Sequence, residues 1–432
     1  MLLKSCSLPQ LNAQAMESFH FLENHFINHA ALIEDWFSKQ WKQTAAPVYG
    51  SVDLRNAGFK IAPIDMNLFP AGFNNLNLKD LRASLTYIAE AIYEWMPQTK
   101  RILIIPESHT RNRFYWENIH TLSQILLKAG FEVRFALLDE NATASLPIEL
   151  SSGATLLLEP LVRKDNQLMV ADFLPDMILL NNDLSEGIPA ILENLTQAVV
   201  PPPTLGWSQR LKSSHFQQYI EVVSDFVQTI PMDSWLLAPL FRHCGEIDFM
   251  QQEGVECVIS HAEILFAAIE AKYAEYHIPH QPFLIVKADA GTYGMAVMTV
   301  RNIEELRSLN RKQRTRMSTI KGGQPVRDVI IQEGIYTFET FGNENAVAEP
   351  VVYLWGKNVL GGFYRVHKER GNDENLNAPG MQFESLPFTV SCDEPNTLLE
   401  DSSGLNRFYL YGVVARLSML AAAREMRNTI QQ

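Results

Sequence analysis

The sequence predicts an α/β fold, with a parallel sheet in the N-terminal half and hairpins mixed with helices (α+β) in the C-terminal half. Three observations predict it. Residues 101–136 read as strand, helix, strand. Residues 283–305 read as strand, glycine loop, strand, helix, and residues 349–366 read as a hairpin. At 432 residues the chain exceeds one ordinary core, so two or three domains are expected. The best linker is Val199-Val-Pro201-Pro-Pro203-Thr-Leu-Gly206, where three prolines stiffen the chain and forbid helix. It divides the chain into residues 1–200 and 201–432.

With 47% hydrophobic and 20% charged residues the composition is that of a globular protein. The net charge of −13 leaves no basic excess for a nucleic-acid partner. No apolar run reaches membrane-span length, and Met1–Cys6 lacks a secretory apolar region. Cys6, Cys244, Cys257 and Cys392 lie far apart, without CxxC or metal-finger spacing. They read as reduced thiols of a cytoplasmic protein, and no His/Cys cluster suggests zinc.

Residues 11–43 read as a packed helical arm, with Phe19, Leu22, Phe26, Ile33, Trp36 and Phe37 at helical spacing. Short strands follow from Val48 through Asp53, Arg55 and Asn56. The stretch from Ala62 to Asn77 mixes Asp65, Asn67, Asn74 and Asn75 with Leu68, Phe69 and Phe73. Buried amides need partners, so this is either a polar pocket wall for a small hydrophilic ligand or a well-capped loop. Residues 78–95 fit an amphipathic helix. Arg101–Ile105 is a short apolar run bounded by Pro106, as a buried parallel strand would be. The polar residues after it include His109 and Arg111, at the strand end where open α/β sheets gather ligands. A helix from about Tyr115 to Ala129, capped by Gly130, leads to the strand Glu132–Ala136. Thr155–Leu158 and Met177–Leu180 read as further strands, the latter ending in Asn181-Asn182-Asp183.

After the prolines, Arg210, Lys212 and His215 fall within one and a half helical turns, which reads as an anion site or a solvated helix face. Residues 216–230 and 260–276 are predicted helical. In Phe283–Val300 an apolar strand ends in Lys287, and Gly291 and Gly294 flank Thr292 before a second strand. Glycines let backbone N–H groups approach a ligand closely, and a concave run of them cradles phosphate. Lys287 would add a point charge. The alternative is an ordinary hairpin with a solvated lysine. Asn302 with Glu305 three residues on marks a helix start. Val329–Ile335 is an apolar strand carrying Gln332 and Glu333 near its end. Glu349–Val366 turns at Gly356–Asn358, with Arg365 late in its second strand. The following loop offers Asp373, Glu374, Asn375 and Asn377, hard oxygen ligands suited to Mg²⁺ held partly by phosphate. A long helix from about Phe408 to Arg427 closes the chain.

From about Pro201 onward these pieces come in an order that resembles ATP-grasp ligases: Lys212, Lys287 with the Gly291/Gly294 flap, Gln332-Glu333, Arg365, then the 371–380 loop. That loop is similar to the one of glutathione synthetase. More narrowly, the segments Pro63–Asn75 and Lys287–Met295 resemble the proteobacterial glutamate–cysteine ligase family of the Thiobacillus ferrooxidans type. The resemblance implies a Rossmann-like pre-ATP-grasp domain followed by an ATP-grasp domain. It implies ATP-dependent joining of L-glutamate, through its γ-carboxylate, to L-cysteine. The implied nucleotide residues are Lys212, Lys287, Gly291, Thr292, Gly294, Gln332 and Glu333, with Arg365 and Lys287 catalytic. Metal would fall to Glu374 and Asn377, with Glu349 contributing; Asp373 or Asn375 stay open, because the spacing of Glu374 and Asn377 departs from many ATP-grasp loops. Glutamate would be held by Arg55, Asp65, Asn67, Asn74, Asn75 and Arg111. Other expectations are another ADP-forming carboxylate–amine ligase, or a non-catalytic nucleotide sensor. A homo-oligomer is compatible with either.

Overall fold

The structure, a computed structural model, describes residues 9–11, 13–77, 81–107, 112–139, 141–291, 294–320, 323–385, 395 and 406–430. Strand β1 (Gln10–Leu11) precedes helices α1 (Ala13–Asn28) and α2 (Ala30–Trp41). The helical spacing of their apolar residues forms one stripe, and Phe19, Leu22, Phe26, Ile33, Trp36 and Phe37 are buried along it. Phe26 and Trp36 pack on Phe226, with ring centroids 6.3 and 5.1 Å away.

Strands β2 (Tyr49–Asn56) and β3 (Ile61–Asn67) pair antiparallel. Helix α3 (Leu81–Trp95) leads into the parallel layer: β4 (Arg101–Pro106), α4 (Arg113–Lys128), β5 (Glu132–Leu137), β6 (Leu146–Glu149), β7 (Thr155–Lys164), β8 (Gln167–Val170), β9 (Met177–Asn181) and β10 (Ala198–Val200). The sheet order is β10-β9-β4-β5-β7-β6, parallel from β10 to β7. Its centre is apolar on both faces: Ile102–Ile105 and Met177–Leu180 are all buried, as a covered parallel sheet requires.

Next come α5 (Lys212–Thr229), β11 (Phe241–Cys244), α6 (Val255–Glu275), β12 (Leu284–Ala288), β13 (Val297–Val300), α7 (Ile303–Arg307), α8 (Arg311–Met317) and β14 (Val329–Glu333). Here β11-β14-β12-β13 form an antiparallel sheet, and Lys287 faces Val297 across the β12–β13 hairpin. Asn302 caps α7, accepting from the N–H of Glu305 at 3.2 Å.

The last elements are β15 (Glu339–Phe341), β16 (Ala346–Trp355), β17 (Asn358–His367), β18 (Gln382–Ser385) and α9 (Arg407–Ile430). They build a second antiparallel sheet, β1-β15-β16-β17-β18. β16 outruns its partner β15, and its free half, Val351–Trp355, pairs with Tyr49–Asp53 of β2. Residues 49–67 therefore share a sheet with residues 346–367, and that sheet spans the boundary expected at residue 200. Helix α9 packs on α5, β2, β3 and β16 and is buried around its circumference from Phe408 to Ala423. Its cations are satisfied by partners brought from afar: Arg416 on Glu34 and Arg407 on Glu339. Among the described residues no helix is long and apolar enough to cross a membrane.

Candidate active site

A cleft of ≈1130 Å³ is lined by residues of both antiparallel sheets, with Glu107, Asn112, Asn118 and Asn181 of the parallel layer at one end. It is larger than most small-molecule pockets, with room for more than one small molecule.

Lys287 stands on one wall because β12 ends there. It is almost buried, and its Nζ donates to the Ile64 carbonyl at 2.7 Å. Burial pushes its pKa down to about 8, against the pull of Asp65. Lys212, in the first turn of α5, has its Nζ 3.3 Å from Asp65 Oδ1. Burial would raise the Asp65 carboxyl, but Lys212 and Lys287 outweigh it and hold it at about 2. Asp65 is thus an anion between two cations. Asp289, two residues past Lys287, accepts from the backbone N–H and hydroxyl of Ser213 at 2.7 and 2.5 Å, tying the start of α5 to the flap.

Arg365 and Glu349 are directly opposed on β17 and β16. Arg365 Nη1 donates to Glu349 at 2.6 Å and to Asp53 at 2.9 Å. Arg55 Nε donates to the other Glu349 oxygen at 2.9 Å, and its Nη2 donates to the Glu374 carbonyl. Burial would lower the Arg365 pKa; Asp53 and Glu349 reverse that and raise it. Asp53 is pushed up by burial, and by Glu349 and Asp65, despite Arg365. Its part in the site was missed in the sequence. A signal existed: Asp53 and Arg55 are two apart on one strand, hence on one face.

Gly291 and Gly294 both have positive φ, 82° and 66°. A Cβ on Gly294 would lie 3.0 Å from the Asn377 carbonyl oxygen and 3.2 Å from Asn375 Nδ2, so the flap seats on the 375–377 loop at a distance where any side chain would crowd it. Asn375 and Asn377 line the cleft. Glu374 does not: its carboxylate accepts from the Gly371 N–H at 2.8 Å and from Arg370 at 3.3 Å. The carboxylate closes its own turn, which differs from the metal role expected for it. Asp373 pairs with Arg301 at 2.7 Å, also away from the cleft lining. Gln332 lines the cleft with a buried Nε2 that has no hydrogen-bond partner among the described residues. Glu333 borders the cleft, but its carboxylate is occupied by Lys60 at 2.8 Å, Trp235 Nε1 at 3.1 Å and the Leu240 N–H at 2.9 Å.

The 62–77 stretch is both a pocket wall and a capped loop. Asn67, Asn74 and Asn75 line the cleft, while Asn67 Oδ1 also accepts from the Phe69 N–H at 2.8 Å. Its anchor is Asn118 of α4, whose Oδ1 accepts from the N–H groups of Gly72 and Phe73 at 2.8 and 3.0 Å. Asn181 Nδ2 donates to the Pro70 carbonyl at 2.9 Å. Asn118 carried no local signal, because its partners are about 45 residues away. Asn118→Ala is expected to cost about 2 kcal/mol of stability, since two buried N–H groups lose their acceptor. Chemical denaturation checks this; a loss below about 0.5 kcal/mol would show the loop held by other contacts. Arg111 and Thr292 lie outside the described residues.

Arg210, Lys212 and His215 all line the cleft, but two of them turn to Glu425. Arg210 makes a two-pronged pair with Glu425 at 3.0 and 2.9 Å, and His215 turns to Glu425 and Ser418. Only Lys212 is directed to Asp65. A second difference concerns cysteine. Cys244 and Cys257 are free thiols that meet at 2.7 Å with His261 beside them, so a His/Cys cluster does exist among the described residues. Sequence spacing hid it because β11 and α6 bring the residues together.

The family model for glutamate-cysteine ligase (GshA) matches residues 23–426. Among solved structures the chain is similar to a protein of Methylobacillus flagellatus KT that carries the name gamma-glutamylcysteine synthetase. They share 47% identity over 98% of this chain and 99% of that one, with a TM-score of 0.90. A glutathione synthetase-like effector from Globodera pallida is 12% identical, covering 86% of this chain and 80% of its own, with a TM-score of 0.37. D-alanyl-alanine synthetase A from Vibrio cholerae is 9% identical, covering 74% and 81%, with a TM-score of 0.33. These two likenesses bear no weight. No curated protein matches.

Proposed function

The chain belongs to the glutamate–cysteine ligase family, an ADP-forming carboxylate–amine ligase that uses ATP, and we propose that its cleft performs the reaction with the residues placed above. The carrying observation is the pair of lysines, Lys212 and Lys287, sharing one anion in a cleft that Arg365 also lines. A triphosphate brings the charge that this surplus of cations needs, and the Gly291/Gly294 flap covers it.

A carboxylate is a poor electrophile, so phosphorylation comes first. A γ-carboxylate oxygen of glutamate attacks the terminal phosphorus of ATP, and ADP leaves. Positioning and charge neutralisation supply most of the rate. Lys212 and Lys287 hold the phosphates, and Arg365 meets the charge on the transferring group. The cysteine amine then attacks the acyl carbon, phosphate departs with the carboxylate oxygen, and the amine loses a proton. No protein nucleophile is needed. Glutamate is assigned to the wall formed by Asn67, Asn74 and Asn75, in reach of the cationic Arg55–Glu349–Arg365 row. The reaction belongs in the cytoplasm, where ATP and both amino acids are supplied.

The residues fit Mg²⁺. Asp53, Asp65 and Glu349 bring hard carboxylate oxygens into one cleft, a donor set that suits a hard divalent cation. Asp53, Glu349, Asn375 and Asn377 would hold it together with phosphate. When bound it supplies Lewis-acid neutralisation of phosphate charge. Glu374, turned into its own loop, is expected to tolerate Glu374→Gln with Mg²⁺ dependence changed by less than about threefold. A Mg²⁺ titration of ADP formation checks this, and a larger rise would return Glu374 to the metal.

The decisive experiment is ADP release across a panel of amino acids. ADP formation that requires both glutamate and cysteine, with a product of the mass of their amide, is expected. Release with another pair would mean a different ligase. Nucleotide binding with no release under any pair would mean a sensor.

A further inference from the structure

We propose that Cys244, Cys257 and His261 form a binding site for a soft or borderline divalent cation of the Zn²⁺ type, separate from the catalytic cleft. None of the three lines that cleft. Their ligand atoms lie within 4.8 Å of one another. Cys244 ends β11; Cys257 and His261 are four apart on α6 and so share a helix face. The two sulfurs are 2.7 Å apart, and His261 Nδ1 is 3.1 Å from Cys244 Sγ and 3.8 Å from Cys257 Sγ.

The two sulfurs are drawn closer than the about 3.5–4 Å at which even the smaller carbon atoms make their best non-bonded contact. A disulfide would bring the sulfurs to about 2.05 Å and make no use of the imidazole. A tetrahedral cation uses all three groups. With metal–sulfur bonds of about 2.3 Å it sets the sulfurs roughly 3.8 Å apart, so the pair must open by about 1 Å. Cys257 is exposed, so its side chain can rotate to provide that opening, while Cys244 is buried and fixed.

Charge favours the same occupant. Two thiolates cancel a divalent cation, and the imidazole binds neutral, so the buried Cys244 end carries no net charge. Three protein ligands leave a fourth position of a tetrahedral ion for water. The site would tie α6 to β11. The neighbour of Cys244 on that strand, His243, has Nε2 3.4 Å from both Asp289 and Asp328. The ion would therefore stabilise the sheet that carries Lys287 without touching substrate.

The test is titration of the reduced, metal-free full chain with Co²⁺, in excess Mg²⁺ to fill hard oxygen sites. Wild type is expected to take up one Co²⁺ with thiolate-to-cobalt charge-transfer absorption that Zn²⁺ abolishes. Cys257→Ser, an exposed change that keeps the fold by circular dichroism, should weaken that binding at least tenfold, as should His261→Ala. Zn²⁺ should raise the Tm of wild type and not of Cys257→Ser. Absence of charge-transfer absorption in wild type, or equal absorption and affinity in Cys257→Ser, overturns the site.

Discussion

Arg365→Lys is expected to lower kcat by about 10²–10³ while leaving the fold and ATP affinity close to wild type, the size of effect seen when one preorganised donor to a developing charge is removed. The reason lies in how Arg365 is held. Nη1 is committed to Asp53 and Glu349. Its Nε is buried and has no hydrogen-bond partner among the described residues. An unpaired buried N–H costs about 1–3 kcal/mol, so an oxygen presented to that edge gains more than it would from a solvated group. The transferring phosphoryl group presents such oxygens. Lysine keeps a cation against Glu349 and Asp53, which spares the fold the larger penalty of two buried, unbalanced carboxylates. It loses the planar fork and with it the second edge. A loss confined to kcat, with KM for ATP little changed, marks an interaction made in the transition state. Saturation kinetics of ADP formation read this directly. A kcat within threefold of wild type would remove Arg365 from the chemistry and leave it as the strut between β16 and β2.

The elements that line the cleft were legible where a short-range pattern carries them. Lys287 beside two glycines requires a strand end and a tight turn whatever surrounds it, and the hairpin places it there. Glu349 and Arg365 became readable together once the turn at Gly356 was assigned, because hairpin register makes them opposite neighbours. The helix N-cap at Asn302 is local in the same sense. What could not be read depends on contacts between distant segments. The pairing of β2 with the free half of β16 brings Asp53 and Arg55 to Arg365 and Glu349, and no periodicity within residues 49–56 announces a partner 300 residues on. Glu374 has two readings in the sequence for a related reason. An acidic side chain in a polar loop satisfies either a metal or its own backbone, and here the Gly371 N–H is nearer. Arg210 and His215 looked like an anion site only because Glu425, their counter-charge, lies at the far end of the chain.

Lys287→Met is expected to abolish measurable turnover, by at least about 10³, without lowering the Tm at pH 7. Two terms combine in the loss. A charge-assisted hydrogen bond to phosphate contributes about 1.5–3 kcal/mol to nucleotide binding, and electrostatic stabilisation of the transferring group adds about 10²–10³ in rate. Stability should survive because the cation is costly where it stands. It is nearly buried, with one carbonyl acceptor and with Lys212 opposing it across Asp65. Methionine fills the same length of apolar channel beside Phe216 without that cost. The sign follows from the pKa. In the folded chain Lys287 titrates at about 8, whereas an unfolded lysine titrates near 10.4. Between those values the unfolded state binds more protons, so stability rises with pH across the window from about 8 to 10.4, and the full deficit is present below it. Lys60, also held at about 8 by burial, contributes a rise of the same sign. Lys287→Met should therefore shrink that rise without erasing it. Function runs the other way. ATP needs the ammonium form, so wild-type kcat/KM for ATP should fall as pH passes about 8, since this ratio reports the enzyme before nucleotide binds. Urea denaturation at pH 7 and 9.5, with kcat/KM for ATP over the same range, reads both halves. A Lys287→Met variant that forms ADP within threefold of wild type would take this lysine out of the nucleotide site. One that turns over slowly but unfolds more easily at pH 7 would show the cation holding the fold rather than burdening it.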